Sequence, residues 1–242
     1  MSTARSTAIA TAHEAHTLEW LALSLTPGLG PTRARRVVEY LGGVAAVFRA
    51  SLTELEATGI LASSAQSLAT GKSIELAKEE AERAIAEGVK IVSLEDSSYP
   101  AQLKQIYDAP MVLYVRGKSD AISQPGIALV GTRHPTPYGS GLAERLACDL
   151  AARGLVIISG MARGVDTAGH RGAITAQGKT VAGFGTGINV IYPKENSRLS
   201  EQILGCGGAL ISEFPMGTAA FPQNFPHSQS HYQRDVSGHA GG

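Results

Sequence analysis

Apolar residues recur at helical spacing from Glu14 to Leu25, with Leu18, Leu21, Ala22 and Leu25 on one face. That spacing predicts a helix. Pro27-Gly28-Leu29-Gly30-Pro31 interrupts it as a turn, and Thr32 can cap a second helix reaching about Leu41. Ser51-Leu52-Thr53-Glu54 is a capping-box pattern, a serine with a glutamate three residues on. A longer helix is expected over Ser73–Glu87, ending at Gly88. Beyond it the period changes. Val89–Ser93 and Val112–Val115 read as strands, with Tyr99-Pro100 as a break between them. From Gly126, short apolar runs alternate with helical segments. Ile127–Val130, Leu155–Ile158, Thr180–Phe184 and Ala209–Ile211 are expected as strands. Tyr138–Arg153, Val165–Gln177 and Glu195–Leu204 are expected as the helices between them. Strand and helix in alternation argue for an α/β fold: a mostly parallel sheet with helices on both faces.

Glycine usage sharpens the division. Of 28 glycines, 8 fall in residues 1–118 and 20 in residues 119–242. The first part is therefore expected to be helical and the second rich in strand-to-helix turns. Length suits one large domain or two small ones, and 43% hydrophobic residues suffice for a core. Residues 1–13 read as a disordered leader, 14–88 as a helical domain and 89–226 as the sheet domain. Lys and Arg number 21 against 21 Asp and Glu, which excludes coating of nucleic acid by bulk charge but not a local basic pocket. Two cysteines, Cys148 and Cys206, exclude a disulfide scaffold or a clustered cysteine metal site. No apolar run approaches membrane-spanning length, and Met1 to His16 lacks the apolar core of a signal peptide, so a soluble cytoplasmic protein is expected.

In sheets of this kind ligands bind beyond the carboxyl ends of the strands. The residues expected there are Gly131-Thr132-Arg133, then Ser159 to Asp166 with Gly160, Arg163 and Gly164, then Gly185-Thr186-Gly187, then Ser212-Glu213. Glycines expose backbone amides, helix N-termini favour anions, and the two arginines can clamp phosphate. The plainer reading is that the glycines only permit tight turns. Neither a G-x-G-x-x-G opening the first helix nor a Walker A loop occurs, so NAD and ATP have little support, and no cofactor is expected. Asp166 and His170, four apart on one helix, are an acid–base pair on one reading. The blander reading is favoured: Asp166 orients the preceding loop and His170 packs on the sheet, since no nucleophile motif accompanies them. Pro27-Gly28-Leu29-Gly30 before an arginine-bearing helix (Arg33, Arg35, Arg36) resembles a helix-hairpin-helix element, or equally an ordinary turn with solvated arginines.

Taken together, the loops resemble the DprA (Smf) family of DNA-processing proteins. Ile127-Ala128-Leu129-Val130-Gly131-Thr132-Arg133 with Tyr138-Gly139 is similar to the family's opening motif. Ser159 to Asp166 with His170 is similar to its central signature. Gly178-Lys179-Thr180, Gly185-Thr186-Gly187, Tyr192-Pro193, Glu195-Asn196, Ser212-Glu213-Phe214-Pro215 and Asn224-Phe225-Pro226 follow in order. Upstream, Tyr99-Pro100, Leu103 and Leu113-Tyr114 also fit, so the resemblance covers about residues 14–226. It implies an extended Rossmann-like domain after a helical SAM-like domain. It implies single-stranded DNA binding, protection of incoming DNA in natural transformation, loading of RecA, a family homodimer and no catalytic activity. Carried over motif by motif, the DNA contacts are Gly131, Thr132, Arg133, Ser159, Gly160, Arg163, Gly164, Gly185, Thr186, Gly187 and Asn224. Gly183 stands where an apolar strand residue is usual, which is expected to weaken that strand.

After Pro226 the resemblance stops. His227–Gly242 has almost no apolar content and holds three of the seven histidines. Codons allowed for this stretch, read one base later, spell Ile-Arg-Asn-Arg-Ile-Ile-Ser-Gly-Met-Ser-Val-Gly-Met-Leu-Val. The family's Arg-Asn-Arg segment and the start of an apolar strand are in that string. Residues 227–242 are therefore expected to be an out-of-frame tail, from one extra base near the Phe225-Pro226 codons. On this reading His227 and His231 have metal-binding spacing by accident, and no metal is expected. The last strands, the dimer surface and part of the DNA pocket are expected to be lost, leaving single-strand binding weak or absent. The competing function is a phosphoribohydrolase-like enzyme acting on nucleotide monophosphates. Those enzymes carry P-G-G-x-G-T with a nearby glutamate; here only Glu213 is a candidate, and it lacks that run.

Overall fold

The structure is a computed structural model that describes residues 2–221, with side chains from residue 14 onward. Two compact units divide the chain.

The first unit is helical: α1 (Ser2–Leu25), α2 (Pro31–Leu41), α3 (Val44–Val47), α4 (Leu52–Ala57), α5 (Ala62–Ala69) and α6 (Lys72–Ala86). The helix α1 begins at Ser2, so it takes in the segment expected as a leader. No proline or glycine lies between Ser2 and Leu25 to stop it. Trp20, Leu21, Leu23, Val37, Val47, Leu55 and Leu68 are buried and form the core. The Thr26 hydroxyl donates to Ala22 O at 2.7 Å and lies 2.8 Å from the Ser73 hydroxyl. Ser64 donates to Pro27 O at 2.6 Å, which fixes the turn before α2. The N-cap of α2 is Gly30 rather than Thr32, because Pro31 already takes the first helical position, where its missing N–H costs nothing. The capping box Ser51/Glu54 forms at the start of α4 as its sequence requires.

The second unit holds most of the sheet, all but residues 91–93 and Val112. Strands β1 (Lys90–Ser93), β2 (Val112–Gly117), β3 (Gly126–Ala128), β4 (Val156–Gly160), β5 (Thr180–Phe184) and β6 (Ala209–Ser212) run in the order β1-β2-β6-β5-β4-β3. The pairs β3/β4, β4/β5 and β5/β6 are parallel, and β2 joins β6 antiparallel. The fold is therefore α/β with a mostly parallel sheet. Helices α7 (Ala101–Gln105), α8 (Pro137–Ala152), α9 (Val165–Thr175) and α10 (Ser197–Gly205) complete it. The division between units is not a single cut near residue 88: residues 91–97 and 107–112 group with the helical unit.

Every residue of β5 is buried, as expected for a strand inside a parallel sheet. Gly183 does not interrupt it; it pairs in register with Gly160 and Ile211. Ala147 and Ala151 of α8, Ile157 of β4 and Ala173 of α9 form a tight cluster, with Leu129 and Leu150 packed against it. Small side chains at four-residue spacing let the two helices sit close on the sheet. Thr136 caps α8 by accepting from Gly139 N at 3.1 Å, with Pro137 at the first helical position. This packing fixes where the loops after β3 and β4 emerge.

Candidate nucleic-acid interface

Gly131, Thr132, Arg133 and His134, in the loop that follows β3, are exposed. The next loop, Met161 to Gly164, leaves the end of β4 and enters α9. The two loops meet at Gly164. Its φ is +80°, a left-handed conformation that glycine accepts at least cost. A Cβ there would also lie 2.3 Å from Thr132 O and 2.8 Å from Arg133 C. Glycine is thus required twice over, by conformation and by space. Val165 N, the first amide of α9, donates to Thr132 O at 3.2 Å and ties the loops together. Their meeting brings Arg133 and Arg163, both exposed, to one end of the sheet.

The loop after β4 is held from beneath. Asp166 is buried, and its carboxylate accepts from Ala162 N at 3.3 Å. Burial pushes its pKa up to about 6, against the opposing pull of the bond from Ala162 N and the charge of Arg133. The Thr167 hydroxyl donates to Ala162 O at 2.8 Å. His170 is fully buried: Nε2 donates to Gly160 O at 2.8 Å, and Nδ1 lies 2.7 Å from the Thr180 hydroxyl. Burial depresses its pKa to about 4, so the imidazole is neutral at pH 7. Asp166 orients the loop and His170 is packed on the sheet, so the two do not form a pair.

The remaining expected contacts are placed differently. Ser159 is buried and donates to Leu129 O at 2.5 Å. Gly185, Thr186 and Gly187, after β5, are buried. The Thr186 hydroxyl donates to Val190 O at 2.6 Å, and Gly187 N donates to Thr218 O at 2.9 Å. Asn224 and the tail from residue 227 lie outside the described residues.

A turn not assigned a role from sequence completes the site. Lys194–Asn196 is one turn of tight helix before α10. Asn196, buried, donates from Nδ2 to Met161 O at 2.9 Å and to Thr167 Oγ1 at 3.2 Å. The adjacent Glu195 carboxylate accepts from Arg163 Nε. That bond raises the Arg163 pKa and lowers that of Glu195. The signal in the sequence was the Tyr192-Pro193 to Glu195-Asn196 run, but its partner lies 32 residues away.

Residues 90–229 match the family model described as DNA recombination-mediator protein A, more than half of the chain. The chain belongs to this family. Family members similar to it include DNA processing protein DprA of Streptococcus pneumoniae, 40% identical over 55% of this chain and 47% of that protein. Protein Smf of Escherichia coli is 39% identical over 56% of this chain and 36% of its own length. The chain thus spans less than half the length of these relatives. The solved structure of the S. pneumoniae family member superposes with a TM-score of 0.68 at 28% identity, over 89% of this chain and 73% of that one. The family member from Helicobacter pylori, solved to describe its single-stranded DNA binding mode, gives 0.53 at 28% identity, over 60% of this chain and 66% of that one. Among the described residues no helix is long and apolar enough to cross a membrane.

Proposed function

We propose that the chain binds single-stranded DNA along the loops after β3 and β4. The observation that carries this reading is the seating of Gly164 against Thr132 and Arg133, which gathers two exposed arginines at the N-terminus of α9. Arginines grip phosphate through forked, charge-assisted bonds, and a helix N-terminus adds favourable dipole and amides. Contacts of this kind position a backbone without reading its sequence. The single-strand binding described for the H. pylori relative supports the reading. Protection of incoming DNA, loading of RecA and homodimer formation are the wider role we propose for the full-length family member. Binding rather than catalysis is the proposed activity, because Asp166 and His170 are committed to holding the loop and the sheet.

The test is fluorescence anisotropy of labelled oligo-dT at low ionic strength, beside a duplex of equal length and a salt series. The expected result is weak single-strand binding that falls steeply with salt, with little duplex binding. Release of free base from AMP by the purified chain would overturn it in favour of the enzyme reading. We also propose that residues 227–242 are read out of frame. Resequencing the gene across the Phe225-Pro226 codons tests this: one base fewer supports it, and the printed frame overturns it. A frame-corrected chain is expected to bind more tightly than this one.

A further inference from the structure

Arg163 is not presented bare at the proposed interface. Its Nε donates to the Glu195 carboxylate, although both side chains are more than half exposed, at 60% and 53%. An exposed ion pair on two free side chains is usually worth little. This one is built in. The turn that carries Glu195 is pinned to the loop that carries Arg163, through the two bonds from Asn196 to Met161 O and Thr167 Oγ1. Thr167 and Asp166 in turn hold Ala162, next to Arg163. The carboxylate therefore stands at the Nε–H of the guanidinium, one of the donors an anion would use, on a short tether.

We propose that Glu195 is an affinity-setting residue: its carboxylate occupies the phosphate's place on Arg163 and must be displaced when a DNA phosphate binds. This rests on the single-strand reading above. A phosphate arriving at Arg163 trades one charge-assisted bond for another instead of gaining one outright. The freed carboxylate then sits beside the phosphate and draws a cation from solution. Fewer ions are released on balance, so the salt dependence of binding is shallower than the number of phosphate contacts would give.

The experiment compares the wild-type chain with Glu195→Gln, using labelled oligo-dT across a salt series, with thermal melting of each protein as the check on folding. The variant is expected to bind several-fold more tightly at low salt, with unchanged melting. Its slope of log affinity against log salt is expected to be steeper by about 0.7, the value of one single-strand phosphate contact. In the wild-type protein, the Arg163 Nε–H resonance in a proton–nitrogen NMR spectrum is expected to move when oligo-dT is added. Equal or weaker binding by Glu195→Gln, or an Nε–H resonance that stays in place in the complex, overturns the proposal; the glutamate would then be a fixed support for Arg163. If neither protein binds oligo-dT while both remain folded, the single-strand reading itself falls. Binding by the wild type with no gain in the variant sinks only the role of Glu195.

Discussion

The loops after β4 and β5 leave neighbouring parallel strands and look alike in sequence, each with closely spaced glycines, yet the chain uses them in opposite ways. The loop after β4 is open: Arg163 projects, and Gly164 lets the loop lean on Thr132 and Arg133. The loop after β5 is filled. Gly187 is buried under residues 215–218, where a Cβ would lie 2.5 Å from Pro215 O and 2.7 Å from Gly217 N. Gly217 N donates to Asn189 Oδ1 at 2.7 Å, and Ser212 donates to Thr186 O at 2.6 Å, so polar groups in that loop are met by protein. One glycine loop brings the proposed ligand-facing segment into place, and the other brings two parts of the chain together. Glycine content alone marks a close approach of backbone, not what approaches it.

The sharpest way to break this contrast is to add a methyl group to each loop. Gly164→Ala and Gly187→Ala are both expected to lower stability in urea by about 1–3 kcal/mol, the first through backbone strain and close contact, the second through overpacking. Only Gly164→Ala is expected to reduce oligo-dT affinity, by tenfold or more. An equal loss of affinity in folded Gly187→Ala would erase the distinction between the loops.

Titration beneath the open loop gives the next effect. The carboxyl of Asp166 has a folded pKa raised to about 6, so its contribution to stability is complete below its ordinary value near 3.8 and is lost as pH rises through about 6. His170 has the opposite sign. Its pKa is depressed to about 4, so its contribution is present above 6.5 and is lost as pH falls through about 4. The two shifts, each on the order of 3 kcal/mol, offset one another across the same window. Asp166→Asn removes one side of the balance. Relative to wild type, it is expected to gain stability as pH rises from 4 to 6.5, read by urea denaturation at several pH values. A difference that stays flat with pH would mean that Asp166 is not a buried, titrating group.

Arg163→Ala touches the open loop without touching the core. It is expected to weaken oligo-dT binding several-fold at low salt, because the phosphate then meets an unpaired Glu195 carboxylate in place of the guanidinium, and to leave stability within about 0.5 kcal/mol. The smallest effect lies at the edge of the site. Thr136→Ala removes the cap of α8 and is expected to cost about 1 kcal/mol in urea denaturation, with affinity nearly unchanged.

The alternation of β4, α9, β5, α10 and β6 was legible because each element carries its own period and its own terminating residues. The strand β5 falls at its expected bounds, Thr180–Phe184. Long-range facts were not legible. The pairing of Arg163 with Glu195 and the burial of Gly187 by residues 215–218 depend on segments about 30 residues apart, and nothing local announces them. The two units are interleaved for the same reason: residues 91–97 and 107–112 belong with the helical unit although their neighbours do not. Asp166 was legible as a loop-orienting residue, because an acidic side chain in the first turn of a helix is placed to accept from amides of the preceding loop. The extent of its burial was not.

The measurement that bears most directly on the account is oligo-dT binding at low ionic strength by the wild-type chain and by the double variant Arg133→Ala/Arg163→Ala, each over a salt series. The account predicts weak, salt-dependent binding by the wild type. In the double variant it predicts a large loss of affinity and a slope shallower by about 0.7, the share of the Arg133 contact, since Glu195 offsets the ion release at Arg163 in the wild type. Binding that survives the loss of both arginines with the same slope, or no binding by either the folded wild-type chain or its frame-corrected form, would contradict it.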